Sequence, residues 1–572
     1  MKNFFKHLRG YRVEAVLGPF FKLCEATLEL IVPLVVASII DRGVQSGDRA
    51  YIVKMCLILA LLGAVGLAFS VTAQYFAAKA SVGFVTRMRS SLFSHIQTLS
   101  YNEIDTLGTS TLITRMTSDA NQVQSGLNLT LRLLLRSPFV VFGAMIMAFT
   151  IDFNSALTFA AVIPALSVVV FGIMLISMPL YKSVQGKLDG VLHKTRENLS
   201  GVRVIRAFCK EDAEIAEFEK RNSSLSKSQQ FVGKISALMN PLTYVLINLA
   251  IVWLIDIGSV KVNSGAISQG ELIALYNYMT QILVELIKLA NLIITITKAL
   301  ASFGRINKVF KTKNSMKNGS LTSGLDDTYA VEFCNAELKY EGSAEPSLSG
   351  ISFKAKRGET VGIIGGTGSG KTSLVNLITR FYDTSSGAVY VNGADVRTFD
   401  IEALNKKIGV VPQRAVLFSG SLRENMKWGN ENATDEEIYK ALETAQAKDV
   451  ALQKGGLDFN IEQGGKNLSG GQRQRLTIAR AIVKDPEILI LDDSASALDY
   501  ATDAALRAAI RNIEKEKTVF IVSQRASSIM HADKIIVLDD GEAVGIGTHE
   551  ELLLSCPVYK EIYSSQFGGG AV

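Results

Sequence analysis

The chain has 572 residues, of which 48% are hydrophobic and 20% charged, and its formal net charge is +6. Soluble domains carry roughly 25% charged residues and seldom exceed about 250 residues, so a single soluble domain is excluded. The modest basic excess sits in connections between apolar runs, as bilayer topology requires, and does not call for a nucleic-acid partner. Cys24, Cys56, Cys209, Cys334 and Cys556 are scattered, with no C-x-x-C pair and no histidine cluster, so neither a disulfide framework nor a zinc site is expected.

The N-terminal stretch MKNFFKHLRGYR is basic and precedes an apolar run, 15–40, that is longer than a signal-peptide core. That run reads as an uncleaved first membrane helix. A helix needs roughly 20 mostly apolar residues to cross a bilayer. Stretches at about 15–40, 52–78, 130–151, 156–180, 235–258 and 272–297 meet this condition. Lys2, Lys6, Arg9 and Arg12 precede the first span, Lys79, Arg87, Arg89 and Arg115 follow the second, and eleven Lys or Arg fall within 181–234. The alternate connections are short; Arg42 and Arg49 face Asp41 and Asp48, 152–155 has no basic residue, and 259–271 has only Lys261. Excess positive charge marks the cytoplasmic side, which places both termini and the two long connections there.

Those connections run with helical patterning, as though the membrane helices continue into the cytosol. Tyr101–Ser110 and Glu197–Phe208 lie near their turning points. The stretch 309–328 is polar and rich in Ser, Gly, Asn and Lys, and reads as a linker. Beyond it, short β-rich runs alternate with helical stretches, as in a soluble α/β domain. The expected architecture is an all-α six-helix membrane domain over 1–308 followed by an α/β domain over 329–572.

Three motifs carry chemistry. Gly365, Gly366, Thr367, Gly368, Ser369, Gly370, Lys371 and Thr372 fit G-x-x-x-x-G-K-T between a predicted strand, 360–364, and a helix opening at Ser373. This is the context a P-loop needs: glycine amides close round phosphate oxygens, Lys371 reaches the β- and γ-phosphates, and the Thr372 hydroxyl holds Mg²⁺. In Glu487-Ile-Leu-Ile-Leu-Asp492-Asp493, four apolar residues predict a buried strand whose tip carboxylate, Asp492, is a second Mg²⁺ partner. Leu468-Ser-Gly-Gly-Gln472 opens a helix, so Ser469, Gly470, Gly471 and Gln472 make another helix-start anion site. Two copies arranged head to tail would use both sites, each signature closing over the other's P-loop.

P-loop, LSGGQ and LILDD in this order resemble the ABC ATPases, and six spans ahead of them resemble the type IV ABC exporter half-transporters. The resemblance covers nearly the whole chain and is strongest to bacterial heterodimeric multidrug exporters. It implies ATP and Mg²⁺ as cofactors. Tyr340 then matches the aromatic that stacks on adenine, and Gln413 in VVPQ the glutamine that senses Mg²⁺ and contacts the membrane part. Ser496-Ala-Leu-Asp499 matches the D-loop, with Asp499 at its end. The turns at 101–110 and 197–208 match the coupling helices.

Two positions depart from the family pattern. Asp493 stands where the family usually has the glutamate that orients the attacking water, and Gln524 stands in place of the switch histidine. Glutamine hydrogen-bonds a phosphate but carries no proton charge. Together they imply a site that holds ATP and hydrolyses it poorly, beside an intact donated signature.

In the membrane part, Glu25 and Glu29 share a helix face and Glu285 lies three residues from Lys288. They read either as a polar, cation-attracting cavity or as structural pairs. The expectation is therefore an ATP-driven exporter subunit for hydrophobic or amphipathic compounds in a bacterial plasma membrane, paired with a second half-transporter. The alternatives are an importer on the same scaffold, for instance for metal-chelator complexes, and a homodimeric exporter. A non-transporting ABC ATPase is excluded by the six spans.

Overall fold

A computed structural model describes residues 7–325, 328–494, 498–511 and 517–567. It divides into two units, one comprising Met1–Gln97 and Ser110–Lys311, the other Thr98–Thr109 and Thr312–Val572.

The first unit is all helical. Its long helices are α1 (Arg12–Val44), α2 (Arg49–Gln97), α4 (Thr109–Ile151), α5 (Phe153–Ser200), α7 (Glu211–Asn263) and α8 (Gln269–Lys311), each long and apolar enough to span a membrane. The short helix α6 (Val202–Ala207) lies at one long turn, and the short helix α3 (Tyr101–Leu107), at the other, is grouped with the second unit. The 49 residues of α2 extend about 74 Å at 1.5 Å per residue, against a hydrocarbon core about 30 Å thick. The apolar runs thus mark only part of longer rods, 52–78 at the start of α2 and 130–151 at the end of α4, and the polar remainder continues as helix, as the helical patterning implies.

Small side chains let these helices approach closely, which is how membrane helices associate when both faces are apolar. Ala26, Ala37, Ala144, Ala148, Ala156, Ala250 and Ala274 are buried in one cluster with Phe159 and Tyr278. A Cβ on Gly18 of α1 would lie 3.3 Å from the backbone nitrogen of Ala77 in α2. Tyr278 donates its hydroxyl to the Leu30 carbonyl at 2.6 Å. Asp41, read from sequence only as a charge offsetting Arg42, accepts from Ser268 Oγ at 2.5 Å and from the Gly270 amide at 2.8 Å. It therefore caps the start of α8.

The second unit is α/β. Its strands are β1 (Tyr329–Leu338), β2 (Leu348–Lys356), β3 (Thr360–Gly365), β4 (Ser386–Val391), β5 (Ala394–Asp395), β6 (Ile408–Val411), β7 (Gly420–Ser421), β8 (Asn460–Ile461), β9 (Ile488–Asp492), β10 (Thr518–Val522), β11 (Lys534–Asp539) and β12 (Glu542–Gly547). A six-stranded sheet runs β12-β11-β3-β10-β9-β6, and an antiparallel sheet runs β2-β1-β4-β5. β11, β3, β10, β9 and β6 are mutually parallel. The strand β9 is buried throughout, as a parallel strand covered on both faces should be. Two hydrophobic clusters flank the sheet, one around Phe333, Phe399 and Phe520, the other around Leu476, Ile438 and Leu489.

The polar stretch at 309–328 differs from a free linker. Its first residues complete α8, which ends at Lys311. Gly319 then donates to the Phe399 carbonyl at 3.0 Å, and Asp400 donates back to the Leu321 carbonyl at 2.9 Å. Unpaired backbone groups at the sheet margin accept this segment whatever its side chains, so its polar composition did not betray the pairing.

Candidate functional site

The register Asp492–Val522–Ile363 across β9, β10 and β3 brings three chain exits to one carboxyl edge of the sheet. In open α/β sheets that edge is where ligands bind. From β3 the chain enters the loop Gly365–Gly370 and then helix α9 (Lys371–Ile378). Gly370 holds φ +94°, and a Cβ there would lie 2.7 Å from the Ser347 carbonyl oxygen. Only glycine adopts that conformation without strain. A Cβ at Gly365 would sit 2.1 Å from the Leu538 carbonyl oxygen, whereas Gly366 faces open space. Thr367 and Gly368 are exposed and Ser369 is buried.

Lys371 lies over the loop, its Nζ donating to the carbonyls of Gly365 at 2.9 Å and Gly366 at 2.5 Å. Burial pushes its ammonium below the usual lysine range, against the pull of Asp493 and Asp492. Thr372 donates to Asp492 at 3.0 Å. Burial raises the Asp492 carboxyl; Thr372 and Lys371 oppose the rise and Asp493 adds to it. A buried carboxylate beside a second one, with a hydroxyl 3.0 Å away, is an oxygen donor set that a divalent cation would stabilise in its charged form. Thr372 and Asp492 fit Mg²⁺ and would be the residues that hold it.

Asp493 follows β9 with φ +44°, a conformation that costs a non-glycine residue about 1 kcal/mol or more and gathers at functional sites. Its amide donates to the Val522 carbonyl at 3.0 Å. Its Oδ2 accepts from Gln413 Nε2 at 3.4 Å, bringing in the residue beyond neighbouring β6. Gln524 is exposed two residues past β10, the strand between β3 and β9. Tyr340 donates to or accepts from Ser373 Oγ at 3.0 Å, which ties the aromatic to the first turn of α9. P-loop, Asp492, Asp493, Gln413, Ser373 and Tyr340 thus form one site.

Ser469 and Gln472 lie apart from it. Ser469 caps helix α10 (Gly470–Val483) by accepting from the Gln472 amide, and Gln472 accepts in return from the Ser469 amide. The first-turn amides of Gly470 and Gly471 have no intrahelical acceptor, as at any helix start. Among the described residues, no hydrogen bond or ion pair joins this signature to the P-loop. Asp499 caps helix α11 (Tyr500–Arg511) by accepting from the Thr502 amide and hydroxyl at 2.8 and 2.9 Å. Ser496 and Ala497 lie outside the described residues.

Sequence reasoning missed Tyr382. Its hydroxyl donates to Asp105 of α3 at 2.5 Å, and its ring meets Tyr340 edge-on at 5.0 Å. Burial first, then the bond to Asp105, raises its phenol well above the usual range. Tyr101 packs on Phe381 with centroids 4.6 Å apart. The signal was an aromatic pair, Phe381–Tyr382, just beyond α9. Also missed was Arg136, in an apolar run of α4, whose guanidinium bridges Glu29 and Glu285 at 2.5 Å each. Lys288 joins Glu285 at 2.8 Å, and Lys22 joins Glu25 at 2.5 Å, so Glu25, Glu29 and Glu285, all singled out from sequence, are each ion-paired. All five cysteines are free thiols.

A phosphate loop with a cation-ready carboxylate, in a chain with six membrane-length helices, defines a nucleotide-dependent membrane protein. The family profile described as "ABC transporter transmembrane region" matches residues 16–286, and that described as "ABC transporter" matches 348–496. An uncharacterised ABC transporter ATP-binding protein of Mycobacterium bovis is 38% identical over 570 residues, covering 98% of this chain and 97% of its own length. A putative multidrug export ATP-binding/permease protein of Bacillus subtilis is 30% identical over 600 residues, covering 99% of each. A solved bacterial Atm1-family ABC exporter with ATP bound superposes with a TM-score of 0.80 at 22% identity, covering 99% of each chain, and so shares the fold. The chain belongs to the ABC transporters: it is a multi-pass membrane protein of exporter fold with an ABC ATP-binding domain.

Proposed function

We propose that this chain is one half of a heterodimeric exporter that moves hydrophobic or amphipathic compounds out across the bacterial plasma membrane, and that it carries the weakly hydrolysing ATP site. Both termini and the ATP-binding unit are cytoplasmic in this reading, which the basic connections of 1–14, 79–130 and 181–234 support. The Bacillus subtilis relatives named for multidrug export or resistance support the substrate class.

One observation carries the asymmetry: Asp493 and Gln524 stand at the tips of β9 and β10 in a site that is otherwise complete. The P-loop amides and Lys371 bind the phosphates, Tyr340 stacks on adenine, and Thr372 and Asp492 hold Mg²⁺, which supplies charge neutralisation on the phosphate oxygens. Asp493 is one methylene shorter than glutamate and is held by its strained backbone and the Gln413 amide. It orients water poorly, and Gln524 binds the γ-phosphate without donating a charge. The helix start at Ser469–Gln472 serves the partner's ATP.

The test is the purified full-length chain in liposomes, as the sole subunit, assayed for ATP hydrolysis and dye export. Turnover should be low, and D493E/Q524H should raise it by about a hundredfold, the scale of a restored general base. Vigorous export by the unaltered homodimer would end the heterodimer reading.

A further inference from the structure

The loop carrying Gln524 is fixed at its entry by the sheet, since Ser523 donates its amide to the Ile363 carbonyl at 3.0 Å. Beyond that point it leaves the strand pattern. Ser523 Oγ accepts from the Arg525 amide at 2.9 Å, a local side-chain turn. The two backbone groups on either side of Arg525 are taken by a single side chain far along the chain. Gln566 Nε2 donates to the Gln524 carbonyl at 2.7 Å, and Gln566 Oε1 accepts from the Ala526 amide at 2.8 Å.

Gln566 belongs to the last turn of α13 (Pro557–Phe567), which follows α12 (His549–Ser555). Apolar packing sets where α13 lies. Tyr559 is fully buried, and it shares a cluster with Ala526, Ile529 and Ile364, the residue just before the P-loop. The Tyr559 hydroxyl is 2.7 Å from His549 Nδ1, and Tyr563 rests 5.2 Å from the same imidazole. The helix is thus anchored to the strand that feeds the phosphate loop, and it presents one amide to the loop beside it. A primary amide has both a donor and an acceptor, which is what a carbonyl and an amide two residues apart require. Displacing the helix by about 1 Å would break both bonds, because they weaken steeply beyond about 3.2 Å.

We propose that Gln566 is a positioning residue for Gln524, so that the C-terminal helix sets how firmly this chain's site holds the γ-phosphate. The inference rests on the reading above, in which Gln524 faces that phosphate. Gln566 itself is exposed and touches no nucleotide, so it acts only through the loop backbone. ADP, lacking the γ-phosphate, should be indifferent to it.

The full-length chain in lipid nanodiscs separates these effects, with ATP and ADP affinities measured by displacement of a fluorescent nucleotide. Q566E keeps the acceptor for the Ala526 amide and sets a carboxylate oxygen against the Gln524 carbonyl. It should weaken ATP by about three- to tenfold, the scale of one or two modest hydrogen bonds, and ADP by less than about twofold. Q524A should show the same ATP-selective loss, and Q524A/Q566E should lose no more than Q524A alone. Equal losses for ATP and ADP in Q566E, or losses that multiply in the double variant, would mean a merely structural contact and overturn the proposal. An ATP-selective loss in Q524A with none in Q566E overturns the role of Gln566 alone. Unaltered selectivity in Q524A overturns this proposal and the γ-phosphate reading of Gln524 together.

Discussion

Arg136 is the residue whose loss should cost the membrane unit most. Its side chain is 7% exposed, between Glu285 at 3% and Glu29 at 41%. Ser137 Oγ and Lys288 Nζ also bond Glu285, each at 2.8 Å. Arg136→Met keeps the volume and removes the charge, leaving Glu285 buried with only Lys288 to balance it. Stripping one partner from a buried ion pair costs about 3–5 kcal/mol. The remaining lysine and the exposure of Glu29 place this case near the lower end, at about 3 kcal/mol. The buried Arg136 Nε has no partner among the described residues, so some of the loss is returned when the guanidinium goes. An unfolding entropy of about 2.1 cal/mol/K per residue, over a unit of about 300 residues, gives roughly 0.6 kcal/mol/K. The midpoint should then fall by about 5 °C, and by more where helices persist in lipid and the entropy change is smaller. The assay is thermal unfolding of the purified full-length chain in nanodiscs. Arg136→Met/Glu285→Gln should recover about half the loss, because the orphaned charge is gone. A shift below about 1 °C for Arg136→Met, or a double variant as unstable as the single, would refute the reasoning.

Lys371→Ala should lower ATP affinity by about ten- to a hundredfold, the scale of charge-assisted hydrogen bonds to phosphate; unchanged nucleotide binding would remove the P-loop assignment. In the assembled transporter, Ser469→Ala should lower steady-state ATPase far more than Asp493→Asn does, although Ser469 makes no bond to its own P-loop. Asp493→Asn as damaging as the signature change would mean that this chain's own site is catalytic.

The sequence by itself determined the class of architecture, because the signals involved are local in the chain. Six apolar runs are visible as runs, and the P-loop is legible because strand, glycines, lysine and helix are contiguous. Asp492 was readable for the same reason, as the polar end of four apolar residues. The helix start at Ser469 was legible in the contiguous run Leu468-Ser-Gly-Gly-Gln472, and the structure adds that Ser469 and Gln472 cap one another. What the sequence hid is what the chain joins from afar. Arg136 reads as an awkward charge in an apolar helix until Glu29 and Glu285 meet it from two other helices. Tyr382 reads as a loop aromatic until Asp105, 277 residues earlier, takes its hydroxyl. The polar run at 309–328 reads as a linker because backbone pairing with Thr398 and Phe399 leaves no mark on side-chain composition. Only tertiary structure decided which exits of the parallel sheet lie side by side, since strand order follows from crossovers and packing and not from the order of residues. That order, β3-β10-β9-β6, is what sets Lys371, Gln524, Asp493 and Gln413 along one edge.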